Sequence, residues 1–426
     1  MCRSGRFASH FSPSFAAGGS WLVGLLLVST PHMAWGTGNA YQQTNLVANR
    51  AEYHPQLIDS QMLNAWGLAL RPPGAGGHLW ISNARSGTSS EFIGDVPNNP
   101  LHQDQLKIVT LDEPAFTDHG YAFVTGQAYN AASDLPGQPE EFHVEGPAHN
   151  LKSNPAQVIS GGYRGAAKFV FVTEDGCINA WSSATALSMD RAPVIIDYSK
   201  RAAKLPFKTN CVFTGVALTN NAGSSDVFKR SGGNHLFAAD MRNNAILVFD
   251  HQWKDVTADY HFQTPLSVGK LHPFNVVSLR GHLFVTYTQF DPGSDEGQEQ
   301  IVGRGLGHLV EYGEDGALIR DYQDEKSLNA PWGVAIAPAT FGAFANDVLV
   351  ANFGDGTIVA FDPATGKFLG YLEDGAHQKI VIDGIWALAF GNGFILGDAN
   401  ALYFTAGPKN EEDGIFGRIN AVGGKG

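Results

Sequence analysis

The sequence contains few charged residues and few cysteines, and both shortages limit the classes of protein to which it can belong. Charged residues make up 16% of the 426 positions, and the acids outnumber the bases to give a formal net charge of −13. Such a surface repels nucleic acid and anionic lipid, so we expect no nucleic-acid partner, and it suits cations or basic and neutral partners. Only three cysteines occur, so a disulfide-rich scaffold is excluded as well.

Apolar runs of membrane length and the common catalytic motifs are also missing. The sequence has no G-x-S-x-G elbow, no H-E-x-x-H, no C-x-x-C, no P-loop and no dinucleotide fingerprint. It has no strongly amphipathic helical pattern either. By contrast, there are 50 glycines and 21 prolines, and aromatic residues make up 11% of the chain. This composition favours a turn-rich, all-β domain.

The N-terminal region has the features of a secretory signal peptide. Arg3 and Arg6 precede an apolar run of eight residues at positions 21–28, which is too short to span a bilayer comfortably. Small residues suitable for cleavage lie at Gly36 and Ala40. We therefore expect residues 1–36 to be a signal peptide and the protein to be secreted or periplasmic. An uncleaved membrane anchor is the alternative.

A degenerate repeat of short strands runs through the rest of the chain. Its best copies read aromatic-Gly-apolar-Ala, then His-Leu-aromatic, then a polar turn. The small second residue of each copy is found at Gly67, Gly215, Asn275, Gly333 and Ala387. The last three spacings are 60, 58 and 54 residues, and the first, of 148, leaves room for a further unit. A period of this size predicts a six-bladed β-propeller with four-stranded blades.

Two irregular segments fit this architecture. Residues 41–48 alternate like a strand, whereas the end of the chain supplies only three strands, so we expect the N-terminal strand to complete the last blade. A single propeller then spans residues 41–420, and we expect a monomer. Residues 112–165 are rich in proline and glycine and predict a long insertion around blade 2, with a weak inner strand at residues 141–145.

The repeat also predicts what lines the central channel. Side chains alternate along a strand, so if the small residues face the axis, the aromatic residues before them lie between the blades. These aromatic residues are Trp66, Phe274, Trp332 and Trp386. Asn275 is the polar exception among the small residues, and a polar side chain in a channel is accessible to a ligand.

Two rings of polar residues are expected on the face where the inner strands begin. One ring enters the inner strands and comprises Asn64, Asn210, His272, Asn329 and Asp383. The other ends the second strands and comprises Asn83, Glu174, Asp240, Tyr287 and Asn352. Carboxylates and amides around a channel mouth suit a hard cation such as Ca²⁺, or a polar ligand. The alternative is that they cap tight turns. The candidate metal ligands are Glu174, Asp240 and Asn275.

Histidines and cysteines offer fewer candidates. His78, His235 and His282 begin second strands on the opposite face, one per blade, so the repeat explains them better than a metal site does. Cys177 and Cys211 are expected near one face of neighbouring blades. We predict a disulfide between them, with two buried free thiols as the alternative.

Several motifs, in order, resemble a known family. They include Asn-Ala-Trp-Gly-Leu-Ala at residues 64–69, Thr-Glu-Asp-Gly-Cys-Ile-Asn-Ala-Trp at 173–181 and Asn-Phe-Gly-Asp-Gly at 352–356. In these motifs the chain is similar to a family of exported bacterial proteins without assigned activity, predicted to form an NHL-like six-bladed propeller. The resemblance covers residues 41–420 and implies fold and export, but no reaction.

A more distant likeness is to the gluconolactonase and regucalcin type of six-bladed enzyme, which holds a divalent cation at the channel mouth. That likeness would give Glu174, Asn275 and Asp383 the roles of ligands, although their order and local motifs differ from that family's. Our first hypothesis is an extracytoplasmic binding or scaffold protein that engages a protein or polysaccharide at one propeller face. The second is a metal-assisted lactonase or hydrolase with a Ca²⁺-type ion. A quinone-dependent sugar oxidoreductase ranks last, because no basic cluster surrounds the channel.

Overall fold

Six small sheets arranged around a central channel form a β-propeller. The computed structural model describes residues 38–134, 141–146, 149–150, 158–159, 163–183, 190–200, 206–219, 233–294 and 299–422. All of these described residues belong to one compact unit. The predicted all-β class and the six blades are confirmed by the order of the strands in the sheets.

Each blade begins with an inner strand at the channel and continues outward through antiparallel neighbours. From the channel outward, the strands are Ala65–Ala69, Leu79–Asn83, Thr88–Phe92 and Ile108–Leu111 in blade 1; Val124–Tyr129, Phe169–Thr173, Cys177–Trp181 and Val194–Asp197 in blade 2; Phe213–Leu218, His235–Asp240 and Ala245–Asp250 in blade 3; His272–Leu279, His282–Phe290, Gly307–Gly313 and Leu318–Asp321 in blade 4; Pro331–Ile336, Val348–Asn352, Ile358–Phe361 and Phe368–Tyr371 in blade 5; and Ile385–Phe390, Ala401–Ala406, Ile415–Ala421 and Tyr41–Ala48 in blade 6.

The remaining elements are short. Additional strands are Leu57–Ile58, His143–Gly146, His149–Asn150, Val158–Ile159, Tyr163–Ala166, Arg191–Ala192 and Gln300–Ile301. Short helical turns are Ala51–Tyr53, Ala84–Ser86, Ala131–Asp134, Thr257–Asp259, Leu266–Val268, Gly342–Phe344 and Pro408–Glu411. Within the described ranges, none of the helices is both long and apolar enough to traverse a bilayer.

Hydrogen bonds between neighbouring inner strands hold the ring together. The Thr125 hydroxyl donates to the Phe213 carbonyl at 2.8 Å, which joins blades 2 and 3. Asn275 Nδ2 donates to the Trp332 carbonyl at 2.9 Å, which joins blades 4 and 5. Similar bonds join blades 1 and 2 and blades 3 and 4, and the Thr405 hydroxyl on the second strand of blade 6 donates to the Trp66 carbonyl of blade 1. These bonds satisfy carbonyl groups that would otherwise be buried without a partner.

The N-terminal strand closes the ring as predicted. It pairs antiparallel with the last strand of the chain, from Tyr41 opposite Ala421 to Ala48 opposite Ile415. Blade 6 is therefore built from both ends of the chain, and its third strand is not left as an open edge.

The structure corrects the predicted orientation of the inner strands. A β carbon added to Gly67 would lie 2.5 Å from the Thr125 carbonyl oxygen, so this glycine faces the neighbouring blade. Trp66 and its equivalents turn to the axis instead. The strand register shifts at this point, between Ala65 and Leu68 in blade 1, and the other five inner strands take part in similar shifts. Such an irregularity breaks the simple alternation on which the prediction depended.

The predicted inner strand of blade 2 was also wrong. The inner strand is Val124–Tyr129, whereas His143–Gly146 pairs with Tyr163–Ala166 in a separate two-stranded ribbon. Gly126 is the small residue of this inner strand, and a β carbon there would lie 3.0 Å from the Gly215 backbone of blade 3. The segment predicted as that strand begins at Glu141, whose buried carboxylate accepts hydrogen bonds from Asn234 instead.

Candidate functional site in the central channel

Aromatic side chains close the channel toward the upper face, defined as the face where the inner strands begin. Trp66 and Trp386 stack with their ring centroids 3.7 Å apart, and Phe353 stacks on the Trp386 ring at 4.0 Å. Trp332 packs edge-on against both tryptophans, and its Nε1 donates to the Thr214 carbonyl at 2.8 Å. Because these residues come from blades 1, 3, 5 and 6, the aromatic plug lies on the axis and ties opposite sides of the ring together.

A cavity of about 630 Å³ lies in the channel toward the lower face, defined as the face where the inner strands end. Its wall consists mainly of apolar side chains from the second halves of the inner strands. Among them are Leu68, Val216, Val277, Ile336, Ala389 and Phe390. Several of these side chains are only half-buried, so the cavity opens to solvent at the lower face.

Two amides interrupt the apolar wall of the cavity. Gln127 Nε2 donates to the carbonyls of Gly67 and Trp80, at 3.0 and 2.5 Å. Asn275 bridges blades 4 and 5 through Trp332, and its Oδ1 accepts the Val276 N–H at 2.8 Å. The polar exception noticed in the sequence therefore lines the channel and also holds two blades together.

Among the described residues that line the cavity, one is a cation, and the guanidinium of Arg71 lies outside this wall, 5.9 Å from the ring centroid of Tyr129. Arg280 lines the cavity and is exposed, and it forms a tight turn with Gly281 between the first two strands of blade 4. Both residues have positive φ, 54° and 81°, as a two-residue hairpin turn requires. The cavity wall contains no Asp or Glu among the described residues.

At the upper face, the predicted ring residues mostly cap turns. Asp240 accepts hydrogen bonds from the Val212 N–H at 3.1 Å and from Asn243 Nδ2 at 2.7 Å, and burial raises the pKa of its carboxyl group. Asn352 Oδ1 accepts the Asn329 N–H at 3.0 Å. These bonds are those expected from the turn-capping alternative.

The other predicted ring residues also interact with nearby protein groups. The Tyr287 and Tyr312 hydroxyls lie 2.9 Å apart. Further contacts join Asn83 to Thr88 and Ser90, Asn210 to Arg242, His272 to the Met241 carbonyl and Asp383 to the Lys409 N–H. Glu174 is buried and interacts electrostatically with Arg242.

The three candidate metal ligands are divided between two places. Glu174 and Asp240 lie at the upper face and both influence Arg242, whereas Asn275 lines the cavity. Across the described part of the chain, no group of three or more His, Cys, Asp or Glu side chains is arranged to hold a metal ion. The metal-site interpretation stays a prediction.

The structure adds one residue, Glu411, that the sequence analysis did not single out. Lys409, Asn410 and Glu411 form a left-handed turn at the upper face, with φ of 58°, 55° and 66°. Asn64 connects this turn to the plug, because its Nδ2 donates to Glu411 Oε2 at 2.7 Å and its Oδ1 accepts Trp386 Nε1 at 2.9 Å. Burial raises the pKa of Glu411 to about 7. Strain of this kind in non-glycine residues concentrates at sites with a constrained role.

The predicted disulfide is not formed. Cys177 and Cys211 are both buried free thiols. Cys177 Sγ contacts Asp197 Oδ1 at 3.5 Å, while Cys211 bonds the carboxylate of Asp240. Each thiol is thus directed to a different carboxylate, and burial raises the pKa of both.

Fold and site together define a six-bladed β-propeller that is plugged toward its upper face and has an apolar cavity open at its lower face. No protein-family profile matches the chain. Relatives occur in Acanthamoeba polyphaga mimivirus. "Uncharacterized protein R648" is 26% identical over 380 residues, which cover 88% of this chain and 78% of the relative. "Uncharacterized protein R640" is 28% identical over 224 residues, 52% of this chain and 37% of the relative. These relatives do not support the bacterial origin that the resemblance implied.

Solved structures with a similar fold are distant. The WD40 propeller domain of Doa1 is 10% identical, with a TM-score of 0.38 over 88% of this chain and 96% of that one. A structure described as YCF48 bound to D1 peptide is 10% identical, with a TM-score of 0.40 over 92% and 99% of the two chains. These likenesses concern the fold alone.

Proposed function

We propose that the protein is an extracytoplasmic binding protein whose ligand enters the channel cavity from the lower face. The observation that carries this proposal is the apolar cavity of about 630 Å³. Protein interiors contain few voids larger than a water molecule, whereas ligand pockets typically measure about 300–1,000 Å³. A cavity of this size at the centre of the ring therefore supports a binding site.

The surroundings of the cavity also favour the lower face. In the sequence, long connections follow Tyr129 in blade 2 and Leu218 in blade 3, and both of these strand ends lie at the lower face. Long connections on a rigid scaffold commonly carry binding residues. A protein or polysaccharide partner of the kind expected from the sequence would contact this face.

The N-terminal segment supports export. Its two arginines and its apolar run match a secretory signal. Expression of the full chain in a bacterial host, followed by fractionation and mass spectrometry of the N-terminus, tests this part. We expect periplasmic protein that begins near residue 37 or 41; full-length protein retained in the cytoplasm would contradict export without touching the cavity.

The cavity is tested with the neutral fluorescent probe N-phenyl-1-naphthylamine. Ala389 and Ser278 are small, half-buried residues of the cavity wall, so Ala389→Trp and Ser278→Trp each fill the space. Ala376 is exposed in a turn of blade 5, and Ala376→Trp serves as the control. We expect saturable probe binding that falls at least about tenfold in both filled variants and is unchanged in the control. If both filled variants keep the wild-type melting temperature and still bind the probe equally well, the proposed site is wrong.

A further inference from the structure

We infer that the cavity takes an amphiphilic anion, a small molecule with an apolar body and a carboxylate at one end. This inference rests on the proposed binding function and adds the chemical class of the ligand. It depends on three features of the lower face: the charge at the rim, the availability of that charge, and the depth of the apolar wall.

The charge at the rim is opposite to that of the chain. The protein has a formal net charge of −13, yet the described residues of the cavity wall include no carboxylate and one cation, Arg280. An arginine presents a planar set of donors that matches a carboxylate in a bidentate pair. A cationic ligand would meet no countercharge in this wall.

The guanidinium of Arg280 is available to a ligand. On the same blade, Glu311 is already hydrogen-bonded by His282 Nδ1 at 2.5 Å and by the Tyr322 hydroxyl at 3.3 Å. Glu314, which follows the residue opposite His282, is buried. Arg320 Nε also lies 3.5 Å from the Glu311 carboxylate. Among the described residues, Arg280 itself forms no ion pair. The hairpin turn fixes the backbone of Arg280 at the rim, and the residue lines the cavity.

The cavity wall next to Arg280 suits the apolar body of a ligand. Val277 and Leu279 belong to the strand that ends just before Arg280, and Phe390 and Ile336 contribute from blades 6 and 5. The amides of Gln127 and Asn275 are already engaged with backbone groups. A strongly polar body would therefore lose its hydrogen bonds to water without full replacement, which costs free energy.

The test compares three probes that share a twelve-carbon chain: dodecanoate, dodecan-1-ol and dodecyltrimethylammonium, each used below its micelle concentration. Displacement of N-phenyl-1-naphthylamine from the full protein at pH 7.5 gives the affinities. We expect dodecanoate to bind about three- to fivefold tighter than the alcohol, because an exposed ion pair contributes up to about 1 kcal/mol. The difference should shrink as salt is added.

Variants of Arg280 separate this inference from the proposed function. Arg280→Lys should keep the preference for dodecanoate, and Arg280→Glu should transfer it to dodecyltrimethylammonium. Lys270→Glu is the control, because it changes the net charge equally on the same blade but precedes the inner strand at the upper face. If dodecanoate and dodecan-1-ol bind equally in the wild type, the cavity binds ligands but the anion preference is refuted. If none of the three probes displaces the dye, the proposed binding function itself fails.

Discussion

Replacing Glu411 with glutamine should stabilise the protein at alkaline pH and leave it unchanged in acid. Burial raises the pKa of this carboxyl group from its ordinary value of 4.5 to about 7 in the folded protein. Each pH unit by which the folded-state pKa exceeds the unfolded one corresponds to about 1.4 kcal/mol. The raised pKa therefore lowers the free energy of unfolding above pH 7 by about 3.4 kcal/mol at most. This figure is an upper limit because Glu411 keeps some exposure to solvent.

The direction follows from which state ionises first. Below pH 4.5 the carboxyl group is protonated in both states and contributes no difference. Between pH 4.5 and 7 the unfolded chain ionises while the folded protein stays neutral, so the free energy of unfolding falls as the pH rises. Above pH 7 the loss is complete. Glutamine does not ionise and still accepts the hydrogen bond from Asn64, so Glu411→Gln should remove this loss.

Urea denaturation at pH steps from 4 to 8.5 measures the effect. The difference between Glu411→Gln and the wild type should be near zero at pH 4 and reach up to about 3 kcal/mol above pH 7. Glu412 is exposed and adjacent, which makes Glu412→Gln a matched control with the same change of charge. A difference that does not vary with pH, or one that the control reproduces, would refute the assignment of a buried, neutral Glu411.

Three further outcomes are expected. Gly67→Ala should destabilise the protein by about 1–3 kcal/mol in thermal denaturation, because the new methyl group meets the Thr125 carbonyl at 2.5 Å, whereas Gly375→Ala, which meets no atom within 4 Å, should not. Burial alone would lower the pKa of His308, but hydrogen bonds to Asp324 and Asp321 raise it; the stability lost in His308→Gln should therefore be larger at pH 6 than at pH 10, since the wild-type contribution disappears as the pH rises through the folded-state pKa. EDTA should leave the melting temperature unchanged, because Asp240 already accepts N–H groups from Val212 and Asn243; a fall in melting temperature with EDTA that Ca²⁺ reverses would instead support the metal-assisted hydrolase.

The repeat predicted the propeller because most of the inner strands carry the same local signal. Trp66-Gly67, Trp332-Gly333 and Trp386-Ala387 place an aromatic residue before a small one wherever the blades approach closely. The inner strand of blade 2 escaped notice because Thr125-Gly126 has no aromatic residue before the glycine and, unlike Gly215-Val216, is followed by a polar residue, Gln127. Only its glycine, Gly126, reflects the close approach of blade 3.

The site was harder to predict, for two physical reasons. The irregular register near Gly67 alters which way neighbouring side chains point, so a parity rule put the tryptophans between the blades when they lie on the axis. In addition, residues such as Val277 and Ala389 look like ordinary core positions in the sequence, and only the closed ring shows that they surround a space. The sequence analysis selected the ring residues for their polarity, although most of them form hydrogen bonds that cap turns.

The pairing of the first and last strands of the chain in blade 6 has a consequence for how the protein folds. Tyr41–Ala48 joins blade 6 by pairing with Ile415–Ala421, so the ring is completed by a contact that spans nearly the whole chain. Such contacts form slowly, and a chain still on the ribosome lacks the strand that its beginning requires. Under the export proposed above, this delay would keep the chain unfolded and competent for translocation until both of its ends have crossed the membrane.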